Sequence, residues 1–173
     1  MPTKRPAYCY KRAPKKPYTR KEYVKSRPQP RLRIFEIGKK TPELDCVAYL
    51  VSLQKAMLLD RALETARVTA NRYLTSKLGR GNFFFRIRPY PHHIVRETRF
   101  LGIAGADRIQ SGMKKAFGKP VDRAAIIKQN QIILEIWVRE KDLNHALEAL
   151  RRAKVKLGID SELYTKKHVD SIS

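Results

Sequence analysis

The chain has 173 residues, with 38 Lys and Arg against 16 Asp and Glu, giving a formal charge of +22. Its 42% hydrophobic content is enough to build the core of one domain. So much positive charge on a compact body calls for a polyanionic partner, nucleic acid or an anionic membrane surface, which an acidic small-molecule substrate alone would not demand. The longest apolar stretch, Cys46 to Leu53, is too short to cross a bilayer, and no apolar run of roughly 7 to 15 residues follows the basic N-terminus as in a secretory signal, which predicts a cytosolic chain.

Residues 1 to 40 carry +12 of the +22, with only Glu22 and Glu36 opposing it. Pro2, Pro6, Pro14, Pro17, Pro28 and Pro30 remove backbone donors there and bias the residues before them toward extended conformations. Residues 1–32 therefore read as an extended basic arm and residues 33–173 as a single α+β domain. Ordering the arm costs about 1–2 kcal/mol per residue in backbone entropy. Its aliphatic content is low, which predicts that an external partner orders it.

The body begins with an alternating strand at Arg33 to Ile37, stopped by Gly38, and a mostly buried strand from Cys46. Asp60 is placed to cap a helix in which Leu63, Ala66, Ala70, Tyr73 or Leu74, and Leu78 recur at helical spacing, with Gly79 as its stop. Residues 82–89 read as a strand, with Phe83, Phe85 and Ile87 on one face and Phe84, Arg86 and Arg88 on the other. Residues 94–101 are expected to pair with it. A loop at 102–118 holds four of the eight glycines. Strands at 123–128 and 131–139 flank a Gln-Asn-Gln turn, with Trp137 on the second. Asp142 caps a last helix striped by Leu143, Ala146, Leu147, Leu150 and Ala153, and a strand near Leu163 closes the sheet. The expected class is α+β: a largely antiparallel sheet with two main helices on one side.

In the arm, Tyr8, Tyr10, Tyr18 and Tyr23 interleave with Lys11, Arg12, Lys15, Lys16, Arg20 and Lys21. Cations neutralise phosphates while tyrosine rings stack on unpaired bases, a combination suited to folded RNA. Solubilising disordered tails are poor in aromatics, which argues against a merely solvated tail. Gly112 to Lys119 imitates a phosphate-binding loop but has five residues between its glycines where four are needed, and Pro120 stands where Ser or Thr would bind magnesium. Gly102-Ile-Ala-Gly105 matches an RNA-clamping Gly-x-x-Gly but follows a strand instead of joining helices. His92 and His93 are adjacent, point apart in an extended chain, and read as solvated or RNA-contacting residues. Cys9 and Cys46 form no metal or redox motif. No paired acid and base emerges, no metal site is expected and no cofactor is implied.

The segment Ala106-Asp107-Arg108, continuing through Gly112-Met113-Lys114-Lys115-Ala116-Phe117-Gly118-Lys119-Pro120, closely resembles the signature of the archaeal and eukaryotic large-subunit ribosomal protein family L ten (e), kin to bacterial L sixteen. Further matches are Arg5-Pro6-Ala7, Lys16-Pro17-Tyr18, Arg33-Ile34-Phe35-Glu36-Ile37-Gly38, Ala70-Asn71-Arg72-Tyr73, Arg86-Ile87-Arg88 and Ala149 to Lys154, so the resemblance spans essentially the whole length. Lys114, Asp122 and Ile126 depart from the signature. The resemblance implies an α/β-hammerhead-type fold on large-subunit rRNA near the peptidyl-transferase centre, with the loop matching 102–115 reaching toward bound tRNA.

The resulting expectation is a non-enzymatic constituent of the large subunit, in the cytoplasm, partnered by rRNA, tRNA and neighbouring ribosomal proteins, with no membrane and no homo-oligomer. Its rRNA contacts are expected at Arg5, Tyr8, Tyr10, Lys11, Arg12, Lys15, Lys16, Tyr18, Arg20, Arg86, Arg88 and Arg96. The tRNA-facing loop would use Arg108, Gln110, Lys114 and Lys115. The competing expectation is an RNA-modifying enzyme with a basic substrate-binding arm, which would need a cofactor pocket or an acid/base pair.

Overall fold

The computed structural model describes residues 7–10, 13–14, 16–24, 26–97 and 118–167. Its strands are β1 (Glu36–Ile37), β2 (Cys46–Ser52), β3 (Ala56–Leu59), β4 (Phe84–Ile87), β5 (His93–Glu97), β6 (Lys119–Ile127), β7 (Ile132–Val138) and β8 (Ser161–Lys167). Its helices are α1 (Asp60–Leu78) and α2 (Leu143–Leu157). The α+β class and the two helices are as the sequence predicts.

The strands form two antiparallel sheets, not one. The larger has the order β1-β4-β7-β2-β8 and the smaller the order β3-β6-β5. The expected pairing of residues 94–101 with β4 is therefore corrected: β5 pairs with β6, His93 opposite Ala124. Pro89 and Pro91, which lack the N–H that would continue a ladder, lie between β4 and β5 as the chain leaves the first sheet. The turn after β6 likewise joins two sheets instead of closing a hairpin. It is pinned to the end of β2, where Asn130 N–H donates to the Ser52 carbonyl at 2.8 Å and Ser52 N–H donates to the Gln131 carbonyl at 3.0 Å.

Alternation in β2, β4 and β7 sends Ala48, Leu50, Phe85, Ile87, Leu134, Ile136 and Val138 to one face. There they meet Leu63, Ala66, Ala70 and Leu74 of α1 and Ala146, Ala149, Leu150 and Ala153 of α2. The alanines let the two helices approach closely, and each fully buried Leu or Phe contributes about 1.5–3 kcal/mol. Gly38 turns the chain at φ +88°, and a Cβ there would lie 2.2 Å from the Phe83 carbonyl oxygen, so only glycine fits. Gly158 ends α2 in the left-handed conformation, at φ 65°.

Asp60 corrects another expectation. It is the first residue of α1, not its side-chain cap, and its buried carboxylate turns toward the arm.

Candidate nucleic-acid interface

The arm crosses the smaller sheet and is seated there by a few side chains. Tyr10 packs with Val95 and Ala124 and against Met57 and Leu59. Val24 and Leu32 are also buried, 3% and 1% exposed. These anchors give the described part of the arm apolar surface buried against the body. The Asp60 carboxylate accepts the Arg31 and Leu32 backbone N–H groups at 2.6 and 2.8 Å, and Arg123 Nε donates to the Pro28 carbonyl at 2.7 Å.

His93 holds the middle of the arm. Its Nδ1 accepts the Tyr18 N–H at 2.8 Å, and the Ile94 N–H donates to the Tyr18 carbonyl at 3.1 Å. Burial pushes the His93 pKa below the ordinary histidine value, and neighbouring His92 adds to the shift. Accepting a backbone N–H requires an unprotonated Nδ1, in agreement with that direction. His93 is thus a buried acceptor and not the solvated or RNA-contacting residue expected; His92 is exposed. The Arg96 guanidinium lies over the Tyr18 ring, 4.0 Å from its centroid, and hydrogen-bonds to the Tyr18 hydroxyl and to the Tyr23 carbonyl.

The second cationic feature lies on the larger sheet, on the face away from the helices. Registers place Glu36, Arg86, Glu135, Tyr49 and Tyr164 in one row across β1, β4, β7, β2 and β8. Glu135 is only 2% exposed, and its Oε2 accepts from Arg88 Nε at 2.7 Å. Arg86 reaches Glu36 at 2.9 Å and Glu135 at 3.8 Å. Both arginine side chains are about half exposed, so a carboxylate fixes each from behind while its outer edge meets solvent. Burial and the nearby Glu135 charge raise the Tyr49 pKa, and Arg88 opposes them. Next to this row, Trp137 packs with Leu44, Val47 and Phe84, and the Lys40 ammonium sits 3.7 Å from a Trp137 ring centroid.

The structure brings Tyr18 and Arg96 together at the arm seat, and Arg86 and Arg88 together on the other sheet. Tyr10 is buried and Tyr18 half-buried, whereas Lys16 and Arg20 are exposed. The Arg5, Lys11, Arg12, Lys15, Arg108, Gln110, Lys114 and Lys115 predictions lie outside the described residues, as does the Tyr8 side chain. Sequence reasoning missed Asp60 and Glu135 as organisers of the arm and of the arginine pair. A Glu between apolar residues in a buried strand was the available signal for Glu135. Asp122, which departs from the family signature, pairs with Arg61 at 2.8 Å. Among the described residues, no cluster of three or more His, Cys, Asp or Glu could hold a metal ion, and no helix is long and apolar enough to cross a membrane.

A small, strongly basic α+β body with an arm across one sheet and carboxylate-braced arginines on another has the build of a polyanion-binding protein. Residues 13–164 match the family described as Ribosomal protein L16p/L10e, and the chain belongs to that family. It is 45% identical over 162 residues to the large ribosomal subunit protein uL16 of Staphylothermus marinus, covering 94% of this chain and 93% of that one. Its identity to the uL16 protein of Archaeoglobus fulgidus is 40% over 164 residues, covering 95% and 94% of the two chains. For the uL16 protein of Pinus taeda it is 41% over 157 residues, covering 88% and 68%. The family is one of structural ribosomal proteins, so the chain is not an enzyme, and the RNA-modifying alternative is set aside.

Proposed function

We propose that the chain is a structural constituent of the cytoplasmic large ribosomal subunit, bound to its rRNA near the peptidyl-transferase centre, with the loop at 102–118 directed toward tRNA. The observation that carries this reading is the family match across residues 13–164, together with relatives named as large-subunit proteins. The charge distribution supports it: +12 of the +22 lies in the first 40 residues, where phosphates would be neutralised.

In this reading residues 1–32 form the rRNA-binding arm, and Arg5, Lys11, Arg12, Lys15, Lys16 and Arg20 meet phosphates. Tyr8 stacks on a base, while Tyr10 and Tyr18 seat the arm and Arg96 holds Tyr18. Residues 33–173 form the body, whose Arg86 and Arg88 present pre-oriented guanidiniums to the backbone. Arg108, Gln110, Lys114 and Lys115 face tRNA. Neighbouring ribosomal proteins complete the partners, and neither a membrane nor a second copy is required.

The test is sedimentation of the full chain in cells, followed by replacement of residues 103–115 with a short Gly-Ser linker. Near one copy per large subunit supports the structural reading, and a predominantly free pool refutes it. Subunits carrying the linker variant should bind tRNA weakly at normal occupancy. Normal tRNA binding and peptide synthesis would remove the loop from that role.

A further inference from the structure

Where Tyr10 of the arm meets β3, the start of α1 and the end of α2, the surface opens into a cavity of about 340 Å³. That volume is at the small end for ligand sites. Half-buried Met57 and Leu59 and buried Leu157 make an apolar floor. The mouth is cationic, formed by Arg31, Arg61 and Lys156, and among the described residues no carboxylate belongs to the lining. Arg61 is committed to Asp122 at 2.8 Å. The Arg31 and Lys156 side chains have no ion-pair partner among the described residues, and Asp60 fixes the Arg31 backbone at the mouth through its 2.6 Å hydrogen bond.

An apolar slot with two cations at its opening that no described residue pairs fits a flat uncharged ring that carries a phosphate. A purely aliphatic group would leave the cations unused, and inorganic phosphate would leave the floor exposed to water. We propose that this cavity receives one unpaired rRNA nucleotide, its base on the Met57, Leu59 and Leu157 floor and its phosphate between Arg31 and Lys156. The proposal rests on the rRNA-binding reading above and adds to it a site for a single base. The volume admits one nucleotide and excludes a stacked base pair.

The test is base-specific chemical probing of large-subunit rRNA bound by the full chain, comparing the parent with A62W, T65W and R31A/K156A. Ala62 and Thr65 line the cavity on α1, half-buried and exposed respectively, so either indole can fill the slot from the surface. One unpaired nucleotide, protected by the parent, should become reactive with A62W or T65W while the rest of the footprint persists. Affinity should fall about tenfold, as for one lost base contact. R31A/K156A should reduce the slope of log affinity against log salt by about 0.7–0.9, the value for one phosphate. An unchanged footprint with both indole variants would overturn the proposal, as would loss of the whole footprint by variants that melt like the parent. Binding of free AMP in the cavity without any indole-sensitive rRNA nucleotide would also overturn it, in favour of a free nucleotide. A parent that protects no rRNA would overturn the rRNA-binding reading itself.

Discussion

Replacing Asp60 separates the anchoring of the arm from the folding of the helix that Asp60 begins. Its carboxylate is fully buried and accepts two backbone N–H groups, from Arg31 at 2.6 Å and Leu32 at 2.8 Å. Hydrogen bonds to charged groups contribute roughly 1.5–3 kcal/mol each, and a buried amide left without an acceptor costs about 1–3 kcal/mol. Leu32 is buried and would bear that cost, whereas Arg31 is exposed and water can replace its acceptor. Removing a buried carboxylate also removes its desolvation cost, which brings the net loss for Asp60→Ala to about 2–4 kcal/mol. Asp60→Asn keeps one acceptor oxygen and should lose about 1–2 kcal/mol. Urea denaturation followed by the fluorescence of Trp137, the only tryptophan, measures the total. Amide hydrogen exchange locates it: the Leu32 amide should exchange faster in Asp60→Ala while the interior of α1 stays protected. Both variants within about 0.5 kcal/mol of the parent would refute the reasoning, since that is the range of an inert surface change. Fast exchange along α1 with Leu32 unchanged would show that Asp60 serves the helix and not the arm.

The remaining predictions concern other parts of the body. His93 has a lowered folded pKa, so the unfolded chain takes up its proton first as pH falls. Its contribution is complete above the ordinary value of about 6.5 and is lost as pH falls from there through the folded value. The melting temperature of the parent should therefore drop more between pH 7.5 and pH 5 than that of His93→Asn, whose oxygen can accept the Tyr18 N–H without titrating; equal drops would remove His93 from the account. Phe85→Ala deletes a fully buried ring and should cost about 3–5 kcal/mol in urea denaturation, and an unchanged stability would mean that the faces of β4 are assigned backwards. Glu135→Gln should cost only about 1 kcal/mol, because solvent screens the half-exposed Arg86 and Arg88, yet it should weaken rRNA binding if the carboxylate pre-orients them. Retained affinity would make that pair structural alone.

Local pattern carried much of the architecture. The stripe from Leu63 to Leu74, the alternation from Cys46 to Ser52 and the two faces of β4 each follow from one dihedral repeat acting over a few residues, and each stands in the structure as the sequence predicts. β3 was illegible for the complementary reason. Ala56 to Leu59 are four apolar residues without alternation that run directly into α1 with no breaker between them, so nothing local separates strand from helix.

Charge is a sum over composition, so the sequence by itself determined that the chain is a strongly basic protein in need of a polyanion. Its long signature segment determined the family. Only the tertiary structure decided what individual polar and aromatic residues do with that composition. An Asp ahead of a helical stripe has the same local signature whether it caps its own helix or accepts amides from residues 29 and 28 positions earlier. Tyr10 looks like a base-stacking residue in the arm, yet a tyrosine has an apolar body as well as a polar tip, and β5 and β6 offered that body a dry surface, while the Tyr18 ring lies against the Arg96 guanidinium. His93 became an acceptor, and not a surface histidine, because β5 pairs with β6 and turns the imidazole toward the arm. Strand partners, burial and the neutral or charged state of a buried ring depend on groups far apart in the chain, and a repeat read over a few residues carries no information about them.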